Sequence, residues 1–563
     1  MVAPAGSTFA TETQPMPRLD PTELVIGDAP QYFFDNGVVS AVANVTRTVH
    51  RPSKSPANPV IQADRPWENI TYFSFNGWQT WHDADSGRTH CMYEDWWLDR
   101  DKLARGEGGT IHAWANARMR YLYAHTDDGE TFTKPSMGVF SHDGQDTNVV
   151  MGSEVDGSPH SMGLLRDPWE TDETRRFKAL YFHVPPTEEE VGGGVVRHGV
   201  SPDGIHWTPL DEPPVVGAER ARLDDTAIVV VDPESRVYLA ITRHPFMVGA
   251  PDPLRLPPLG LTGGTPTYDV ATDQPGGRNR RRIFMMESAD FHHWTRPRLV
   301  LAPDPDIDNL DTSFYGMSMY RVGAQWLGFM GVFNMVSNTM HVELTHSRDG
   351  RTWRRVWPGR PWLEPGPAGA WDQFMVNVSS APVAKDGELR VYYGGSRNHH
   401  DWWFAGPPEQ YAGSTSWDHL PEVDDMSNVG YALGLARMRP DGFVSLDAGR
   451  EREGLIVTEP MVAPGDRLRI NARCRSGGYV RVEVTDAQDR PLPGATEADC
   501  DPFTGDALNH TVTWNGSPTI RHADTGILDP RRPGAPYRRL RFSLRNAELY
   551  SYQFTTEDGG LAG

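Results

Sequence analysis

Cysteine is scarce in this 563-residue chain: Cys91, Cys474 and Cys500 are the full set, and none lies in a Cys-x-x-Cys pair. A disulfide framework is therefore excluded. Long apolar runs are missing too. No stretch approaches the roughly 18 residues of a membrane span, and "MVAPAGSTFATETQPMPRLDPTELV" has neither the basic start nor the apolar run of a signal peptide. The plainest expectation is a soluble, cytoplasmic protein. Positive charge is in deficit: 54 Lys and Arg against 75 Asp and Glu leave −21. That balance argues against nucleic acid or an anionic membrane as partner. His-Glu-x-x-His spacing is absent, and the two histidines of "NHHDWW" are adjacent rather than spaced for one metal. No cofactor is expected, with Ca²⁺ at clustered carboxylates left open.

Aromatics and turn formers are abundant, with 18 Trp, 18 Tyr, 21 Phe, 55 Gly and 47 Pro. That mixture predicts an all-β chain of short strands, long enough for two or three units. A turn recurs along it: "TDDGETFTKP" from Thr126, "SPDGIHWTP" from Ser201, "SADFHHWTRP" from Ser288, "SRDGRTWRRV" from Ser347, and a degenerate "RPDGFVSLD" around Asp441. In each copy a tight turn leads to an aromatic able to plug the gap between neighbouring sheets.

Counting forward 18 to 23 residues from Asp128, Asp203, Asp290 and Asp349 reaches Asp146, Asp225, Asp311 and Asp372, each at the start of an apolar run. Glu68 in "RPWENITYF" supplies the upstream counterpart. Five acids then open five strand-turn-strand units, spaced by 78, 79, 86 and 61 residues. Such units predict a five-bladed β-propeller over residues 55–445. Alternating segments such as "RLRINARC" and "YVRVEVTD" predict a β-sandwich over 446–563, and residues 1–54 supply strands expected to pack on the propeller.

In a propeller the first strand of each blade lines the axis, so Glu68, Asp146, Asp225, Asp311 and Asp372 are expected at one mouth, suited to acid–base work. The ends of the second strands face the same mouth and contribute Trp96, His183, Arg243, His244, Asn334, Arg397 and His399. With Trp371 and Tyr315 beside two of the acids, the set makes a sugar-type pocket of carboxylates, polar donors and ring faces. "LLRDPWE" is read differently: Asp167 occupies the place of Asp232 in "VVVDPESR", in the turn between strands one and two. The insertion 245–280 is expected to wall off the pocket, to meet a second subunit, or to lie as a surface loop.

The blade pattern, the "SPDGIHWT" turns and the C-terminal segments resemble the five-bladed glycosidase superfamily of glycoside hydrolase families 32 and 43. Nearly the whole chain is similar to bacterial family-32-like proteins, through "RRIFMMESADFHHWTRPRLVLAPD", "DTSFYGM", "DGFVSLDAG" and "CDPFTGD". The resemblance implies three catalytic acids at Glu68, Asp146 and Asp225, with Asp311 or Asp372 as an alternative third. Two departures stand out: "WENITYF" replaces the family's Asp-Pro-Asn-Gly, and "DDTAIVV" replaces its Glu-Cys. The implied activity is exo-hydrolysis of terminal furanosides, fructofuranoside or arabinofuranoside, and the expected cytoplasmic location favours short oligosaccharides. A glycoside phosphorylase and a non-catalytic sugar-binding propeller are the alternatives.

Overall fold

Of the regular elements among the described residues, all but one are strands; the exception is the single 3-10 turn Glu173–Arg175. A computed structural model describes residues 24–98, 118–152, 158–184, 195–216, 219–220, 228–242, 281–304, 306–309, 311–334, 337–400, 402, 429–463, 465–486, 488–520 and 537–556. The all-β expectation is met. The chain divides into two units, one of residues 49–444 and one of the two chain ends, up to residue 48 and from residue 445.

In the larger unit the strands form successive antiparallel sheets. The first orders Ile70–Tyr72, Arg88–Trp97, Arg118–Thr126 and Val149–Met151, with Trp78–Asp83 also on Arg88–Trp97. The second orders Ser158–Arg166, Phe177–Val184, Val195–Ser201 and Thr208–Pro209. The third is built on Ile228–Asp232, Val237–Thr242 and Ile283–Ser288. Next comes Thr312–Val322, Gln325–Asn334 and Thr339–Ser347, followed by Met375–Asn377, Glu388–Ser396, Tyr431–Met438 and Ser53–Lys54. These last two groups touch as one nine-stranded sheet through a single parallel pair, Met340 with Met375. Near-continuous apolar sequence explains why such strands are buried on both faces: "TSFYGMSMYRV" and "QWLGFMGVFN" are almost wholly inside.

The recurring turns have one construction. The hydroxyl of Thr126, Ser201, Ser288 or Ser347 donates to the Asp two residues on, at 2.9–3.1 Å. That carboxylate accepts backbone N–H groups two and three residues further, at 2.6–2.9 Å. The residue after the Asp is left-handed: Gly129, Gly204 and Gly350 at φ +86°, +79° and +69°, and Phe291 at +66°. Phenylalanine is strained there, and its ring is held by Tyr238 and Trp294 at 5.2 and 5.5 Å. Asp203→Ala removes the acceptor of two N–H groups in an exposed turn, and should lower stability by about 1 kcal/mol, read as a shift of the urea midpoint.

Each turn reaches the sheet before its own. Gly204 abuts Trp81 of the first sheet. His292 lies 5.3 Å from His198 of the second. Arg351 binds Asp232 and Glu287 of the third. Phe443 packs on Tyr320, Phe329 and Trp362 at 6.0–6.2 Å. The first turn meets the last strands: Gly129 O accepts from Tyr392 OH at 3.0 Å and Asp128 O from Arg390 Nη1 at 2.8 Å.

In the smaller unit two 19-residue strands, Arg467–Thr485 and Tyr537–Thr555, pair antiparallel across a register break between Cys474 and Tyr479. Its strands connect as one ten-stranded network. Of the N-terminal strands, Ser53–Lys54 belongs to the larger unit, whereas Leu24–Val25 pairs here with Met461–Val462, Gln31–Tyr32 with Tyr537–Thr555, and Val39–Ala43 with Gly454–Thr458. Burial of Phe33, Phe34 and Val38 in this unit drives that placement, Phe33 lying 6.1 Å from Tyr552.

Candidate active site

Of the five expected axial acids, four lie among the described residues, and their surroundings differ. Glu68 has a side chain with no exposed surface, and its carboxylate is fully committed. It accepts the N–H groups of Asp64 and Arg65, the Tyr93 hydroxyl at 2.6 Å, and the Lys134 ammonium at 2.7 and 2.8 Å. Asp372 is likewise buried, holding Lys54 Nζ at 2.6 Å and Tyr393 OH at 3.1 Å. Asp146 is exposed, opposite Ser141 in a short hairpin. The run after it, Val149–Met151, completes the edge of the first sheet, and the inner strand of the second sheet begins only at Ser158. Asp311 stands directly before Thr312–Val322, half-buried. Asp225, Arg243, His244 and the insertion 245–280 lie outside the described residues.

A different carboxylate occupies the interior. In "HCMYEDWW" alternation puts Glu94 and Trp96 on one face of Arg88–Trp97, and Glu94 is fully buried. It accepts Trp96 Nε1–H at 2.5 Å, the His160 Nδ1 partner at 2.6 Å, Tyr121 OH at 3.2 Å and Ser161 N–H at 3.2 Å. Burial, and then the Glu94 charge, push the Tyr121 phenol well above its ordinary pKa, so it stays a donor. His160 and Ser161 reach one carboxylate together because Ser158–Arg166 slips register between His160 and Gly163, with Ser161 at φ +49°. That is a bulge re-aiming a side chain.

Aromatic rings wall the pair. Tyr72 stacks on Trp96 at 4.8 Å, Trp96 meets His160 edge-on at 5.6 Å, and Trp402 lies 5.6 Å from Trp96. Trp402 Nε1 donates to Tyr431 OH at 2.8 Å, and Tyr431 packs on Tyr72 at 5.0 Å. Two residues before Trp402, His400 Nε2 stands 2.8 Å from Tyr315 OH. Tyr315 is itself at a register slip, between Phe314 and Gly316, and the Arg281 guanidinium lies 4.2 Å from its ring centre. Two imidazoles are thus oriented, His160 by a carboxylate and His400 by a phenol. A histidine oriented by a carboxylate is an arrangement for general-base activation of water.

Among the expected binding residues, Trp96 is a buried wall of this site, and Tyr315 is buried against His400. His183 pairs with Pro159, while His160 pairs with Phe182; the inward histidine is on the neighbouring strand. His399 stacks on Phe374 at 3.8 Å, leaving the inner position to His400. Asn334 ends its strand opposite Thr312. Trp371 and Arg397 line one cavity of about 150 Å³ with Asn69, Thr71, Gly430 and Tyr431. Glu94, His160 and His400 were not anticipated; the available signal was an acid alternating with tryptophan in "YEDWW". Among the described residues no three His, Cys, Asp or Glu side chains cluster to hold a metal ion.

Asp167 is buried in a turn, as expected, where it accepts Tyr238 OH at 2.6 Å, Trp169 N–H at 2.9 Å and the Lys178 ammonium. Burial pushes its pKa up, but these donors together outweigh burial and hold it below the ordinary value. Its stability contribution is therefore fully present above the unfolded carboxylate's pKa of about 3.9 and lost as pH falls through the lower folded value. Asp167→Asn should be destabilised relative to the parent at pH 6, with the gap narrowing below about pH 4, as read by urea unfolding across that range.

No family model matches the chain. Over 241 residues it is 27% identical to the A type blood N-acetyl-alpha-D-galactosamine deacetylase of Flavonifractor plautii, covering 36% of this chain and 28% of that protein. The chain thus spans well under a third of that relative's length. Two solved structures are similar at low level. One is an N-acetylgalactosamine deacetylase from F. plautii in complex with blood group B trisaccharide (16% identity, TM-score 0.37, 75% of this chain and 95% of that one). The other is the beta-1,2-mannobiose phosphorylase from Listeria innocua (12% identity, TM-score 0.39, 69% and 96%).

Proposed function

We propose that the chain is a carbohydrate-active hydrolase acting on the terminal sugar of an oligosaccharide, built on a five-bladed β-propeller. Support for the propeller is the cyclic order of contacts: each recurring turn packs on the preceding sheet, and the first turn packs on the last strands. The observation that carries the chemistry is the 2.6 Å contact between His160 Nδ1 and Glu94, enclosed by Trp96 and Tyr72. His160, oriented by Glu94, takes a proton from water as it attacks the scissile bond, and the imidazolium that forms is stabilised by the carboxylate. This arrangement favours an acyl group on the sugar, an N-acetyl amide above all. Similarity over 241 residues to a protein named as a sugar deacetylase points the same way.

The second reading is exo-cleavage of an O-glycosidic bond of a furanoside, by water or phosphate. Asp311, opening the inner strand that carries Tyr315, favours it. That chemistry uses two carboxylates across the bond, and Glu68 and Asp372 are each held by a lysine. One experiment separates the readings: acetate and reducing-sugar release from a panel of N-acetylhexosaminides and nitrophenyl furanosides and pyranosides, with and without phosphate and EDTA. Acetate release supports the first reading, and nitrophenol release the second. Neither product from any substrate would remove the hydrolase proposal.

A further inference from the structure

The cavity of about 150 Å³ beside the aromatic wall has a charge imbalance. Among the described residues, three nearby cations are neutralised: Lys54 by Asp372 at 2.6 Å, Lys134 by Glu68 at 2.7 Å and Asp64 at 2.8 Å, and Arg120 by Asp95 at 2.6 Å. Arg397 lines the cavity and is exposed, and among the described residues no carboxylate forms an ion pair with its guanidinium. The Nε–Nη2 edge of the guanidinium faces Gly430, where a Cβ would come within 2.7 Å of both Nε and Nη2. Gly430 is in turn fixed, its N–H donating to Asn398 Oδ1 at 2.9 Å and its carbonyl accepting from Arg397 N–H at 3.2 Å. The glycine therefore sets the position of the charge.

Trp371 lines the same space, braced by Tyr393 at 5.6 Å. Tyr431 belongs both to this cavity and to the wall beside Trp402, so the cavity adjoins the Glu94–His160 site. Its volume is that of a few waters at about 30 Å³ each, enough for an oxyanion. A planar, permanently charged fork next to an indole suits a sugar bearing an acidic group.

We infer that the cavity between Arg397 and Trp371 binds an anionic substituent of the substrate sugar, a carboxylate, sulfate or phosphate. This rests on the carbohydrate reading above and names its substrate class. The test is calorimetric titration of the full chain with sodium glucuronate, sodium sulfate and inorganic phosphate, for the parent, Arg397→Gln, Gly430→Ala and Arg166→Gln. Arg166 is an exposed cation on another sheet. Binding should weaken about tenfold or more in Arg397→Gln and also in Gly430→Ala, which keeps the charge but displaces it. Arg166→Gln should bind as the parent does. Glucuronate binding alone identifies a carboxylate substituent, and sulfate with phosphate an ester.

Absence of binding to the parent, or equal binding to Arg397→Gln, overturns the inference. So does binding of phosphate alone coupled to phosphate-dependent turnover, which would make phosphate the co-substrate. Titration requires no turnover, so a failed hydrolysis panel leaves its result standing. Conversely, turnover of neutral sugars without anion binding removes only this inference.

Discussion

His160→Asn should lower kcat/KM on the responsive substrate by about 10³-fold, within the 10²–10⁴ that a positioned base contributes. An asparagine amide can still donate to Glu94 and leave Tyr121, Trp96 and Ser161 N–H on the same carboxylate. The fold should therefore persist while the base is gone, and near-parent circular dichroism and urea midpoint would establish that. Glu94→Gln is a harsher change. All four partners present a proton to this group, so an amide nitrogen there faces donors with a donor, and loss of activity should come with loss of stability. Tyr315→Phe separates the second imidazole from its phenol partner and should cost less, about tenfold, if His400 positions rather than transfers a proton. Full activity in His160→Asn, with activity abolished in Asp311→Asn, would return the chemistry to the axial acids.

The strand-turn-strand units and their punctuation were legible in the sequence because they rest on local chemistry. An Asp with a hydroxyl residue two before it and a glycine after it makes the same turn at Asp128, Asp203 and Asp349 wherever it occurs. The same holds for Asp167, whose place in the turn followed from its match to Asp232. Harder to read was which of two adjacent residues points inward. Period-two reasoning assumes unbroken register, and the slips at Ser161 and Tyr315 reverse parity. His160 is thereby selected over His183, a strand neighbour one register step away. His400 displaces His399 for a similar reason, since His399 turns to stack on Phe374.

Neutralisation was illegible for a different reason. Glu68 opens an apolar run, as an axial acid should, but nothing local announces that Lys134, 66 residues later, will fold onto it. Asp372 and Lys54 are separated by 318 residues. Likewise the N-terminal strands looked like neighbours of the segment that follows them, whereas their hydrogen-bond partners lie some four to five hundred residues along the chain.

The buried ion pair makes the second strong prediction. Lys134→Met should destabilise the larger unit by about 3–5 kcal/mol, because it leaves the Glu68 charge in a site with no exposed surface for the side chain. The loss spreads beyond one contact. Tyr93 OH bridges Glu68 and Asn148, and Asn148 also receives Trp67 Nε1–H at 2.8 Å. Burial, and then the neighbouring Glu68 charge, hold the Tyr93 pKa well above its ordinary value, so this hydroxyl remains a donor and does not add a second negative charge. The double variant Glu68→Gln/Lys134→Met removes both charges while keeping an acceptor for Tyr93, and should recover most of the lost stability, as breaking one partner costs more than deleting both. Urea unfolding of the three variants, in a double-mutant cycle, measures the coupling directly. The same cycle distinguishes structure from catalysis. If Glu68 is a fold residue, the double variant regains activity along with stability; a stable but inactive double variant would make Glu68 part of the chemistry, with Lys134 as the group that positions it.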